Sequence, residues 1–349
     1  MLSTPKERGF FFPAEWHPHE ATWITFPYND HSWQGGKLAQ MYPEYFALIK
    51  AISLGEKVKI NINNVALKDF ILGELLKYQI DPQQIELFIR PTNDAWCRDH
   101  GPAFLIKNGS PERLLIDWGY NAWGGKYPPF DDDDRIPQAI AKDLGVACQS
   151  PGIIMEGGSV EFNGKGTVLT SRSCLLNPNR NPHLTQAHIE NYLQEYYGVD
   201  QVLWVSDGIV GDDTDGHIDD TVRFVNEDTV ITMVEPNVAD DNHAVLAQNL
   251  QELREMRLLD GRPLKIIEIP MPDAVVIDEF RAPGSYANFY ISNAAVIVPT
   301  FHCPQDSIAL EILSTLFIDR PVIGLSAREI IWGQGSFHCL TQQEPKAVL

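Results

Sequence analysis

The chain of 349 residues carries 27 Lys and Arg against 47 Asp and Glu, a formal charge of −20, and 44% of it is hydrophobic. So acidic a chain argues against nucleic acid as partner, because phosphate binding wants a basic surface, and it favours encounter with a cation. Five cysteines at irregular spacing, with no Cys-x-x-Cys, exclude a disulfide framework and a zinc cluster of ordinary spacing.

In chain order, the first third reads as strands at 22–26, 57–62 and 85–89, with helices near 38–53 and 66–78. Four β-hairpins follow: "AFLIKNGSPERLLIDW" (103–118), "SVEFNGKGTVLTS" (159–171), "TVRFVNEDTVITMV" (221–234) and "NFYISNAAVIVPT" (288–300). Each turns at Asn, Gly, Asp or Ser, residues suited to the tight turns of hairpins. Helical patterns run near 136–144, 183–197, 239–259 and 305–318, and short apolar strands at 202–205, 265–269 and 321–325 follow three of them. "DDDDR" (131–135) reads as a surface loop.

The unit is strand, strand, helix, strand, and it recurs roughly every sixty residues. Units of unequal length suit a closed ring better than an open solenoid. The expected fold is therefore α/β, a pseudo-symmetric ring of about five units. No Pro/Gly/Ser-rich linker interrupts residues 1–349, so a single domain is expected. No stretch approaches roughly eighteen uninterrupted apolar residues, and the N-terminal apolar run is too short for a signal peptide. The expectation is a cytoplasmic protein without a membrane span.

Charged or reactive residues recur at one address, just before the first strand of each hairpin: Asp99, Glu156, His217 with Asp219, and Asn288. Cys339 stands at the matching point before a last short strand. A ring would gather all of them at one end of its axis, with a glycine beside each for close backbone approach. The densest stretch, "GDDTDGHIDD" (211–220), does not fit a calcium loop. With Gly211 at position one, Val222 falls where a bidentate Glu belongs.

A thiol, an imidazole and three carboxylates make a nucleophile, a general acid/base and a cage for positive charge. Extra carboxylates would oppose the oxyanion of acyl transfer. They suit a cationic electrophile, and a planar guanidinium pairs with carboxylates through bidentate forks. Asp99 and Asp219 would hold such a group while Cys339 attacks its carbon and His217 moves protons. Trp96 and Trp123 could supply a cation–π wall. Cys97 and His338 read as packed residues, turned away by strand alternation, and alternation also separates Asp220 from the face shared by His217 and Asp219. Cys303, in "FHCP", is a rival nucleophile near a strand end.

Seven ordered motifs carry a resemblance along nearly the whole chain: "EWHPHEATWITFP" (15–27), "NDAWCRDHGP" (93–102), "NAWGG" (121–125), "EGGS" (156–159), "CLLNPNRNP" (174–182), "DGHIDD" (215–220) and "HCLTQQEP" (338–345). The chain resembles the agmatine deiminase and bacterial peptidyl-arginine deiminase family of guanidine-modifying enzymes. The resemblance implies a five-bladed α/β-propeller, no metal or organic cofactor, and a homodimer. It implies Cys339 as nucleophile, His217 as acid/base with Glu156 as its partner, and Asp99 and Asp219 as guanidinium clamps. The expected reaction is agmatine plus water to N-carbamoylputrescine and ammonia. Two positions concern the far end of the substrate. Asp213 stands where similar deiminases carry Glu, and Arg172 could read a carboxylate, which keeps arginine or a C-terminal peptidyl-arginine open. Asn288 could line the site. Two other functions fit the same residues, a non-catalytic polyamine or guanidine binder and an amidino transferase.

Overall fold

Strand pairing follows the turn chemistry. A computed structural model describes residues 3–348. Three of the hairpins form as antiparallel pairs, Val160–Phe162 with Thr167–Ser171, Val222–Phe224 with Thr229–Val234, and Tyr290–Ile291 with Val296–Thr300. In each, the helix that follows returns the chain so that a third strand adds parallel to the second: Gln201–Val205, Lys265–Pro270 and Val322–Ser326. A crossover of that length is what a parallel neighbour requires. The remaining hairpin, Ala103–Lys107 with Arg113–Ile116, also gains a parallel third strand, Ala147–Gln149, and Phe10–Phe11 pairs on its other edge. The sequence pattern misses Ala147–Gln149 because it is three residues long and largely exposed, with no apolar alternation to mark it.

The chain ends complete a further sheet. Thr341–Pro345 pairs antiparallel with His19–Thr25, which continues parallel through Lys57–Ile62 to Ile85–Ile89. The architecture is thus α/β with mixed sheets. A short hairpin, Val275–Ile277 with Phe280–Ala282, stands apart from them. It lacks glycine at its turn, where Asp278 and Glu279 take positive φ instead, so turn composition does not announce it.

Helices cover these sheets and bury their apolar faces. Ile49 and Ile52 of the helix Lys37–Ser53, and Ile71 and Leu75 of Val65–Lys77, pack with Ile60 of the sheet in one core cluster. Among the described residues no helix is long and apolar enough to cross a membrane. "DDDDR" is not a free loop. Asp133 is buried and accepts hydrogen bonds from the backbone N–H groups of Asn93 and Asp94, so it braces the segment that leads into the site.

The address ahead of each hairpin is a single helical turn. These turns are Cys97–His100, Gly157–Ser159, Ile218–Asp220, Tyr286–Asn288 and Phe337–Leu340. They touch one another in cyclic order, the last closing onto the first. The residues that share an address in the sequence therefore share one place in the molecule.

Candidate active site

The turns converge on Gly158. A Cβ built there would stand 2.5 Å from His217 Nδ1, 2.9 Å from Asp99 Oδ1 and 3.1 Å from Asp219 Oδ2. Only glycine leaves those three groups room to meet. Asp99 is held from two sides: its Oδ1 accepts the Gly158 N–H at 2.9 Å and its Oδ2 accepts Trp123 Nε1–H at 3.0 Å. Trp123 reaches this position through a left-handed backbone, φ 54° and ψ 46°. Burial, reinforced by Asp219 and Glu156 and opposed by His217, pushes the Asp99 carboxyl up to about 6.

His217 is fully buried, with Nδ1 3.7 Å from Asp99 Oδ1. Burial works against its charge, but Asp99, the Cys174 thiol and Asp219 outweigh it and hold the imidazole well above its ordinary value. Neither ring nitrogen makes a hydrogen bond among the described residues. Glu156, Cys174 and His217 bring their donor atoms within 4.8 Å of one another, a spacing open to a cation. Glu156 Oε1 is already taken by Arg180 Nε at 2.6 Å, so a positive charge closes that side.

Cys339 lies across from these groups. Asn288 Nδ2 stands 3.0 Å from its Sγ and 3.0 Å from Asp220 Oδ1, and Asn288 Oδ1 accepts the backbone N–H of His338 at 3.0 Å. Asn288 therefore fixes the nucleophile's turn as well as its sulfur. Burial, with Asp219, Asp220 and Asp99 adding to it, pushes the thiol well above its usual range. Asp219, Asp220 and Cys339 form a second cluster within 4.8 Å, and its ion pair among the described residues is that of Asp219 with His338. Asp219 is kept ionised: burial opposes its charge, but the hydrogen bond and charge of His338 prevail and lower it.

Two expectations based on strand alternation fail here, for one reason. Asp220 is not turned away, and His338 is not a bystander, its Nδ1 lying 2.6 Å from Asp219 Oδ2. Both sit on helical turns, where successive side chains diverge by about 100° rather than pointing to opposite faces. Cys97 does pack, in a cluster with Trp23, Phe104 and Leu115. Cys303 touches one of these turns, its sulfur 3.2 Å from the Tyr286 hydroxyl, but does not line the pocket that holds Cys339.

A pocket of about 950 Å³ opens onto the site and is lined by Cys339, Asp99, Trp96, Trp123, Tyr127 and Asp213, among others. Trp96 stacks on Trp33 with ring centroids 5.3 Å apart. A side chain at Gly335 would stand 2.5 Å from the Trp96 ring, so that glycine lets the indole lie against the nucleophile's segment. Asp213 stands farther out, bonded to the Tyr127 hydroxyl, and burial raises its carboxyl to about 6.

Arg172 is not part of this wall. Ser171 caps a one-turn helix, Arg172–Leu175, which directs Cys174 inward and sends the Arg172 guanidinium outward to Glu252, 3.3 Å away. The arginine beside the site is Arg180, paired with Glu156 and Asp215 and donating to the Thr214 carbonyl at 2.8 Å. Arg180 and Glu15 lie inside the quoted motifs but off the repeated address, which is why the repeat does not mark them, whereas His338 stands on it beside Cys339.

Comparison with known proteins assigns the chain to a family. The family model described as Porphyromonas-type peptidyl-arginine deiminase matches residues 11–345. An agmatine deiminase of Ectopseudomonas mendocina (strain ymp) is 35% identical, covering 99% of this chain and 98% of that protein. One of Pseudomonas aeruginosa (strain LESB58) is 36% identical over 98% and 97%. The solved agmatine deiminase of Enterococcus faecalis superposes with a TM-score of 0.91 at 33% identity, covering 100% of this chain and 99% of that one. The chain belongs to the Porphyromonas-type peptidyl-arginine deiminase family and is a hydrolase acting on C–N bonds.

Proposed function

We propose that the protein hydrolyses agmatine to N-carbamoylputrescine and ammonia through a covalent adduct on Cys339. The observation that carries this is a thiol in the pocket wall with Asp219 and Asp220 beside it and Asp99, itself next to His217, in the same wall, an arrangement that repels anions and accepts a planar cation. Asp99 and Asp219 pair with the guanidinium edges. A bound cation offsets the charge that keeps the thiol protonated, so the Sγ proton leaves to solvent as substrate enters. The thiolate then bonds to the guanidinium carbon and gives a neutral tetrahedral adduct. His217 donates its proton to one –NH2, the C–N bond breaks, and ammonia leaves a cationic S-alkyl thiouronium. Neutral His217 next takes a proton from water as the hydroxide adds to the same carbon. Collapse expels the thiolate, releases a proton and frees the ureido product. Glu156, whose carboxylate lies within 4.8 Å of the His217 ring, serves as the partner that orients the imidazole.

The acidic outer wall favours an amine over a carboxylate at the substrate's far end. Asp213 lines the pocket, whereas Arg172, the residue able to read a carboxylate, points to Glu252 instead. We read the five mixed sheets as blades of an α/β-propeller, on the cyclic contact of their leading turns.

The test is ureido-product formation from agmatine, free arginine and a peptide ending in arginine, with Cys339→Ala as control. Turnover of agmatine that the variant loses supports this reading. Turnover of an arginine substrate keeps the reaction and moves its specificity. Tight binding without turnover in both proteins overturns it in favour of a guanidine-binding protein, and a new guanidine product in place of a urea identifies amidino transfer.

A further inference from the structure

We infer that Glu15 and His338 form a positioning relay beneath the site that fixes Asp219 with one oxygen committed and the other free for substrate. The inference rests on the reading of Asp219 as a guanidinium clamp given above. His338 is buried between two carboxylates, its Nδ1 2.6 Å from Asp219 Oδ2 and its Nε2 2.7 Å from Glu15 Oε2. A carboxylate only accepts, so with both ionised each ring nitrogen must donate, and the imidazole carries a proton on both. Such charge-assisted bonds are the strong and directional ones.

Glu15 is well anchored for this task. Its Oε1 accepts the Ile291 N–H at 2.7 Å and pairs with Arg223 Nη2 at 3.1 Å, and its Oε2 pairs with Arg98 Nη2 at 3.2 Å. Arg98 in turn donates to the His338 carbonyl at 3.3 Å and to Gln343 at 2.7 Å, while Arg223 is paired with Glu161. The groups facing the imidazole are therefore Glu15 from the N-terminal segment, Asp219 and Asp220 from one turn, Arg98 and Asp99 from another, and Arg223 and Glu161 from the adjoining strands. Cys339 follows His338 on the same turn. Asp219 Oδ1, by contrast, is buried and has no hydrogen-bond partner among the described residues. One oxygen is thus tied to the relay, and the other keeps an unused acceptor, which we assign to the substrate. Because His338 also precedes the nucleophile, the same turn sets the distance between thiol and clamp.

Glu15 and His338 act through Asp219 and Cys339, so they are positioning residues. In His338→Gln, Asp219 loses its cationic partner and becomes harder to ionise. The acid limb of the kcat/KM pH profile then moves to higher pH, and KM for agmatine rises about tenfold or more, the scale of one lost charge-assisted hydrogen bond. Glu15→Gln moves the limb the same way. A purely structural role lowers amplitude at every pH and leaves the limb in place, and that result would overturn the inference. Since Glu15 has several partners and its variant could fail to fold, the wild-type protein supplies a second measurement. ¹⁵N-histidine NMR should show one imidazole with protons on both nitrogens at neutral pH, assigned by its loss in His338→Gln. An assigned His338 carrying a single proton would overturn the inference. That signature is read without turnover, so it stands or falls separately from the proposed reaction.

Discussion

Asp99 and Asp213 carry raised carboxyls, each to about 6, and burial is the largest cause in both. Their ionised forms are costly in the empty pocket and become favourable beside a cation. Below about pH 6 both gain protons, and a cationic substrate must then displace them to bind. Agmatine binding to Cys339→Ala should therefore tighten as pH rises through about 6. Calorimetry at pH 6 in buffers of different ionisation enthalpy should show proton release on binding. Affinity that stays flat from pH 5 to 7 would mean that neither carboxylate meets the substrate. Both aspartates were visible in the sequence as acidic residues at suggestive positions. Their raised carboxyls were not, because desolvation depends on what the rest of the chain packs over them.

At the scale of the element, the working groups stand on single helical turns that lead into strands. Such a turn is too short to carry a periodic signal, so the sequence reads it as the start of a strand. This explains the misplacement of Asp220 and His338 and the outward course of Arg172. It also makes Gly158 a stringent position, since a methyl group there meets the imidazole and two carboxylates. Gly158→Ala should lower kcat/KM by about a hundredfold or more, the usual cost of misplacing reacting groups by about an ångström. Its melting temperature should fall only modestly, because the turn has an ordinary φ and no β ladder is lost. A variant of near-normal activity would show that these groups do not meet the substrate together.

At the scale of the molecule, the two chain ends are joined in one sheet. Glu344, on the last strand, is fully buried and accepts hydrogen bonds from Trp23 Nε1 and Lys59 Nζ, each at 2.8 Å, and pairs with Arg113. Lys59 itself is buried, so removing its partner leaves an unpaired charge in a site of low dielectric. Glu344→Ala should destabilise the fold by about 3–5 kcal/mol, read from denaturant unfolding with an unchanged m-value. A loss under about 1 kcal/mol would show that the last strand is not held by this charge network.

The four hairpins of the repeated unit, the helices that return each chain segment to its sheet, and the recurrence of one chemical address were determined by sequence alone. They rest on local rules of turn composition and apolar period, which act over a few residues. The approach of His217, Asp99 and Asp219 around Gly158, the Glu15–His338–Asp219 chain and the pairing of Thr341–Pro345 with His19–Thr25 were decided only by tertiary structure. Each joins groups far apart in the chain through burial and hydrogen-bond geometry, and no local pattern encodes which distant partner a buried charge will meet.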